Sequence, residues 1–413
     1  MKFENNLCYC NPAHGGWGII RVAALIPESY LLFVCPSACF RHGALGAIQH
    51  KYKNRISYIY ISENDIVEGY DQCILDGVDE LLERTKENIR LLFIYVSCLD
   101  DFIGTDLDKV TDELASRYPK IQFRGGRMNP IASSTKLPPA VTTFDAMLSV
   151  LPGKEKLDRG ISFWGNFVDV PNDNELVREL KRNGHEIRQL SSCSDFEEYL
   201  KMSDSFVSIV FKPFVNYALL RLEKRTNASH VSMPISYNID EIEDSYKQLS
   251  EFLNEDISGG IAGDIALTKK EIERTLNKVG DMPVFVSDSA TVFPFKMADA
   301  LIRYGFNVQR IYASEITGID SPFADKISAE HPEIKIIQAD HPNAVIRNTE
   351  RTEALSVGEE AAYLSNARYV ADINNDEGMF GLQGVRILME CMYSAVDHEA
   401  DIRKLIEEYG GIV

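Results

Sequence analysis

Three cysteines in the first hundred residues, Cys10, Cys39 and Cys98, each open a loop, and the last two follow strand-like apolar runs, Tyr30–Val34 and Ile89–Val96. A thiolate is the soft ligand that iron–sulfur centres require. In an open α/β sheet, loops after neighbouring parallel strands converge on one crevice, where helix amino termini aim free N–H groups. Cysteines placed there suit an iron–sulfur cluster bound at the carboxyl edge of the sheet, and the helix ends favour thiolate over thiol by lowering its pKa. Cys39 runs into Phe40–Ile48, which reads as a helix. Cys98 opens Ser97-Cys-Leu-Asp-Asp-Phe-Ile-Gly-Thr-Asp106, where Thr105 or Asp106 can cap the helix that follows.

Spacing alone leaves the bland alternative open, because 8 cysteines in 413 residues is ordinary usage and buried free cysteines commonly serve as packing. No local Cys-x-x-Cys repeat occurs, so a self-contained site built from one segment is not indicated. A site assembled from distant loops supplies three ligands where a four-iron cluster wants four. The fourth then comes from a partner chain, from an Asp, or from Cys8 or Cys35 nearby. His14 and His42 stand beside the proposed ligands and can relay protons or donate hydrogen bonds, although solvated loop histidines are the commoner case. Arg41 and the pair in Arg124-Gly-Gly-Arg127 can offset cluster charge, and the latter stretch reads as a surface turn. Cys73, Cys193 and Cys391 fall in or at the start of apparent helices and read as packing residues. Ser258-Gly-Gly-Ile-Ala-Gly263 fits no nucleotide-binding loop, so any ATP that drives the chemistry is bound by another protein.

These residues need elements to hold them, and the chain supplies an α/β rhythm. Strand-like runs at 30–34, 56–61 and 89–97 alternate with amphipathic stretches Asp71–Lys86 and Asp106–Tyr118, the βαβ signature of a parallel sheet. Residues 132–139 read as an irregular loop, and Thr142–Leu151 as a helix leading onward. A second unit runs through strand Gly160–Phe167, helix Asp173–Gly184, strands His185–Leu190 and Ser205–Val210, and helix Phe214–Lys224. A third repeats the pattern with Pro283–Ser287, a helix Pro294–Tyr304 stopped by Gly305, and Asn307–Ala313. The expected organisation is three α/β domains, 1–155, 156–275 and 276–413. The composition is that of an ordinary globular protein, 45% apolar and 25% charged. No apolar run approaches the roughly 20 residues of a membrane span, and no secretory signal opens the chain, so a cytoplasmic location with reduced thiols is expected. A net charge of −19 argues against a nucleic-acid surface and suits docking to a complementary protein.

Cys10-Asn-Pro-Ala-His-Gly-Gly-Trp-Gly18, Phe33-Val-Cys-Pro-Ser-Ala-Cys39 and Val96-Ser-Cys-Leu-Asp-Asp-Phe-Ile-Gly-Thr-Asp106 together resemble the cluster-binding part of the nitrogenase component 1 family. That family includes nitrogenase subunits, cofactor-assembly scaffolds, dark-operative protochlorophyllide reductase, methylthio-alkane reductase and a nickel-sirohydrochlorin reductive cyclase. The second motif departs from the usual Gly-Pro-x-Gly-Cys by carrying Cys35 and Ala38, which leaves Cys35 or Cys39 as its ligand; Cys39 is favoured. The resemblance implies three Rossmann-like αβα domains with parallel sheets around a central cavity. It also implies an interface cluster, 4Fe–4S or larger, on Cys10, Cys39 and Cys98. The implied partners are a second copy or a paralogous subunit, together with an ATP-dependent iron protein that donates electrons. The implied activity is oxidoreductase, with a non-catalytic assembly scaffold or a cluster-free α/β binding protein as the alternatives.

In the nitrogenase catalytic subunit a cysteine and a histidine hold the large metallocofactor. The stretches that resemble those places here are Ser208–Tyr217 and Asp376–Gly384, and the two positions fall on Phe211 and Phe380. Phenylalanine has no lone pair for a metal, so no nitrogenase-type iron–molybdenum cofactor and no dinitrogen reduction are expected. Two aromatics facing a cavity suit an apolar or planar small molecule, such as a tetrapyrrole, or else simply fill a closed interior.

Overall fold

Strands β1 (Ser29–Cys35) and β3 (Leu91–Ser97) are buried at every position, as expected of central strands in a parallel sheet covered on both faces. Their runs of Leu, Phe, Ile and Val have the β-branched and aromatic content that such strands need. In this computed structural model, which describes residues 7–9, 18–49, 51–128, 137, 139–345 and 349–409, they pair in parallel register with Phe33 beside Tyr95 and Val34 beside Val96. Strands β2 (Ile56–Tyr60) and β4 (Gln122–Met128) complete the first sheet in the order β2-β1-β3-β4. Alternate residues of β1 and β3 feed two cores, one on each face. Leu31, Phe33, Phe93 and Tyr95 pack with Ile20, Phe144 and Met147, while Leu32, Val34, Ile94 and Val96 pack with Ile74, Val78, Val110 and Leu114. Each such side chain contributes about 1.5–3 kcal/mol by leaving water.

A second parallel sheet contains β5 (Asp158–Trp164), β6 (Ile187–Gln189), β7 (Ser205–Val210) and β8 (Ser229–Ser232), in the order β6-β5-β7-β8. A third has five strands: β9 (Val284–Ser287), β10 (Val308–Ala313), β11 (Lys335–Gln338), β12 (Thr352–Val357) and β13 (Ala367–Ala371). Their order is β11-β10-β9-β12-β13, all parallel. The chain is therefore an α/β protein with three parallel sheets, each having one point where the strand order reverses.

Two compact units emerge from the contacts. One, residues 16–169 and 185–234, holds the first two sheets; the other, residues 1–15, 170–184 and 235–413, holds the third. Within the latter, the helices Ala262–Val279 and Gly381–Ala395 pack together, with Thr275 Oγ1 donating to the Met389 carbonyl at 3.2 Å. The helix Glu175–Arg182 joins this unit by capping Gly381–Ala395. The fully buried Glu175 carboxylate accepts from the N–H groups of Leu382 at 2.5 Å and Gln383 at 3.1 Å. Among the described residues, no helix is long and apolar enough to cross a membrane.

Two local expectations change. Arg124-Gly-Gly-Arg127, expected as a surface turn, is the middle of β4, because pairing with β3 along its whole length overrides the turn signal of two glycines. Cys193 lies just after a short 3-10 turn, Leu190–Ser192, rather than in an α-helix. The loop expected at 132–139 lies, apart from Leu137 and Pro139, outside the described residues.

Candidate metal centre

The first sheet reverses direction between β1 and β3, and the crevice at their carboxyl ends is the place where an open α/β sheet binds ligands. Cys35 is the last residue of β1; Pro36 turns the chain, and the helix Ser37–Gln49 begins at once, with Cys39 in its first turn. Cys98 follows the last residue of β3. Cys39 and Cys98 are both partly exposed, whereas Cys35 is buried.

The thiols of this crevice feel one another. Cys39 is raised above the ordinary thiol pKa, first by burial and then by the negative charge that Cys98 would carry. Cys35 is pushed up to about 12, mainly by burial and further by Cys39. The sequence pattern predicted the opposite direction for Cys39, because a helix amino terminus favours thiolate; desolvation outweighs the helix end here. Cys39 and Cys98 follow the adjacent parallel strands β1 and β3 and so stand at the same edge of the first sheet. Burial and its inert thiol set Cys35 apart from that pair.

The remaining expected ligands stand elsewhere or lie beyond description. Cys10 and His14 fall outside the described residues, as does the side chain of His42. Cys8 is exposed in the unit of the third sheet, where hydrogen bonding to Asp340 raises its thiol pKa, and the neighbouring Tyr9 N–H donates to the Asp340 carbonyl at 2.7 Å. Arg41 is exposed. Among the described residues, no group of three or more His, Cys, Asp or Glu side chains stands ready to hold a metal ion. Of the three favoured cysteines, Cys39 and Cys98 fall among the described residues, and both are free thiols at this crevice.

The Cys98 turn is built with care. A short helix, Asp100–Ile103, ends at Gly104 in the left-handed region (φ +73°), and Asp106 then caps the helix Leu107–Arg117 by accepting from Lys109 N–H at 3.1 Å. Phe102 projects from this turn 90% exposed. Beneath it Asp100 is 0% exposed and is held by Tyr70, Thr105 and Arg127; Thr105 and Arg127 were read from the sequence in other roles, and Asp100 and Tyr70 were not singled out.

Phe211 and Phe380 belong to separate units. Phe211 follows β7, is 1% exposed, and meets Phe163 edge-on with ring centroids 5.1 Å apart. Its N–H donates to the Trp164 carbonyl at 2.9 Å, across the reversal point of the second sheet. Phe380 is 5% exposed, lies 6.4 Å from the Tyr246 ring, and accepts from Asn174 Nδ2 at 3.0 Å through its carbonyl. The next residue must be glycine: Gly381 has φ +62°, and a Cβ there would collide with Tyr246 Oη and Glu175 Oε1. Both rings are buried.

The described geometry can be set beside known proteins. No curated protein matches the chain in sequence. A solved structure described as nitrogenase Cp1 at pH 6.5 is similar in fold, with a TM-score of 0.72 over 96% of this chain and 95% of that one at 15% identity. Another, nitrogenase Cp1 at pH 5, has a TM-score of 0.67 over 96% and 90% at 13% identity. The family model for nitrogenase component 1 type oxidoreductases matches residues 15–397. With three parallel sheets and a match over nearly its whole length, the chain belongs to the nitrogenase component 1 type oxidoreductase family.

Proposed function

We propose that this protein is a subunit of a nitrogenase-like reductase that holds an iron–sulfur cluster with Cys10, Cys39 and Cys98 at a subunit interface. It receives electrons from an ATP-dependent iron protein and serves the reduction of a small molecule other than dinitrogen. The observation that carries this reading is the placement of Cys39 and Cys98 directly after the adjacent parallel strands β1 and β3, at the strand-order reversal of the first sheet. A bound cluster, 4Fe–4S or larger, supplies one-electron storage. The chain supplies the soft donors, a largely apolar floor from β1 and β3, and the turn that orients Cys98. Three cysteines per chain leave a further ligand to a second copy or a paralogous subunit.

Phe211 and Phe380 offer no donor atoms, which supports a reductase without an iron–molybdenum cofactor. Their burial means that an apolar or planar substrate reaches them only if the packing around them opens. The three-domain division at 1–155, 156–275 and 276–413 belongs to the same reading. A competing reading, a cluster-free α/β binding protein with structural cysteines, draws on the raised pKa of Cys39. An assembly scaffold is the third.

The test is anaerobic purification, iron and sulfide analysis, and then mixing with an iron protein and MgATP. Bound iron that becomes reduced and turns over a substrate supports the reductase. Bound iron that is never reduced favours the scaffold, and absence of iron favours the cluster-free protein.

A further inference from the structure

Cys98 has a rigid neighbour on one side only. Ser97 is fixed in β3, but the other side is the turn that runs to Gly104, so the position of the Cys98 sulfur depends on what fastens that turn. Asp100 is the fastener. Its carboxylate is fully buried, and a buried charge is strongly disfavoured unless it is paired, so it persists only with strong partners. Tyr70 Oη, itself buried, donates to Oδ1 at 2.5 Å, and the Thr105 N–H donates to the same oxygen at 3.2 Å. The Arg127 guanidinium pairs with Oδ2. Through a second nitrogen, Arg127 also donates to the Thr105 carbonyl at 2.9 Å, so one side chain grips both ends of the turn. Arg127 sits opposite Val96 in the β3–β4 register, one strand over from the residues that lead into Cys98.

We propose that Asp100, clamped by Arg127 and Tyr70, is the positioning residue of the Cys98 turn and fixes the separation of the Cys98 and Cys39 thiols. This rests on the cluster reading above. The ion pair has no net charge, so it leaves the charge of a bound cluster unaltered and acts by geometry. Groups that orient metal ligands typically matter about 10–100-fold in metal affinity.

The experiment uses the full chain with Arg127→Met, Arg127→Lys and Tyr70→Phe. Arg127 is half exposed, so its replacement is compatible with folding; Tyr70→Phe removes only one hydrogen bond and serves if Arg127→Met fails to fold. Two readouts are made. In metal-free protein, dibromobimane joins two thiols only when they are close, and peptide mapping gives the rate of Cys39–Cys98 joining. In anaerobically reconstituted protein, iron retention against a chelator and the electron paramagnetic resonance spectrum are recorded.

Arg127→Met is expected to slow the joining and to weaken iron retention by about 10-fold or more, with an altered spectrum. Arg127→Lys, which keeps the charge, restores most of both, and Tyr70→Phe gives a smaller change in the same direction. If Arg127→Met, or Tyr70→Phe in its place, joins its thiols and retains iron as the unaltered protein does, the clamp is wrong while the cluster stands. If the unaltered protein takes up no iron yet Arg127→Met still slows the joining, the cluster reading fails and the clamp of the thiol pair stands.

Discussion

Replacing Cys98 by Ala removes one of two thiols that interact across the β1–β3 crevice, and bound iron is expected to fall to background. Cys39→Ala and Cys10→Ala are expected to do the same. Cys193→Ala and Cys391→Ala should keep full iron, because neither follows β1 or β3 at the crevice; elemental analysis of each variant decides. Cys35→Ala should also keep iron and cost about 1 kcal/mol of core packing, read by thermal unfolding. The cysteines of the crevice were legible because a strand signal precedes each and a helix signal follows. The choice between Cys35 and Cys39 became sharper only with burial, which sequence does not display. The Asp100 clamp was not legible, since Tyr70 and Asp100 are 30 residues apart and meet only through the sheet.

Elements carry their own tests. β4 was missed because Arg-Gly-Gly-Arg has the composition of a turn, yet its place beside β3 is held by a ring: a Cβ on Gly126 would lie 2.6 Å from the Tyr95 ring. Gly126→Ala is therefore expected to destabilise the protein by about 1–3 kcal/mol in denaturant unfolding, whereas an unchanged midpoint would mean that β4 stands farther from Tyr95. At the start of the helix Glu359–Ser365, which follows β12, burial raises the Glu359 carboxyl to about 7, with the neighbouring Glu360 and Asp372 adding to the effect. The sign follows from proton counting. Between the ordinary glutamate value, about 4.3, and that raised value the folded state binds more protons than the unfolded one. Stability from this group is full below the ordinary value and is lost as pH rises through about 7. Glu359→Gln should flatten that loss, measured as unfolding free energy against pH. The strands β1–β3, β5–β7, β9 and β10, with the helices read between them, followed from apolar runs and glycine stops, which are local signals; β8 and β11–β13 were not read from the sequence, and β4 and the capping of one helix by Glu175 depend on partners far along the chain.

At the scale of the whole molecule, the chain is acidic and Phe102 is exposed on the Cys98 turn, so under the proposed function Phe102 is a candidate contact for the donor protein. Phe102→Asp is expected to leave iron content and spectrum unchanged while slowing reduction by an iron protein with MgATP in stopped-flow absorbance; unchanged kinetics would remove Phe102 from the docking surface. The parallel-sheet α/β architecture was legible across the chain, while the two compact units were not, because the segment 170–184 crosses from one to the other by tertiary packing alone. The most direct test of the central claim is electron paramagnetic resonance, with iron and sulfide analysis, on the reduced anaerobic protein beside Cys98→Ala. The account predicts bound iron and sulfide with a reduced-cluster signal in the unaltered protein, both lost in Cys98→Ala. A silent, iron-free protein, or full iron in Cys98→Ala, would contradict it.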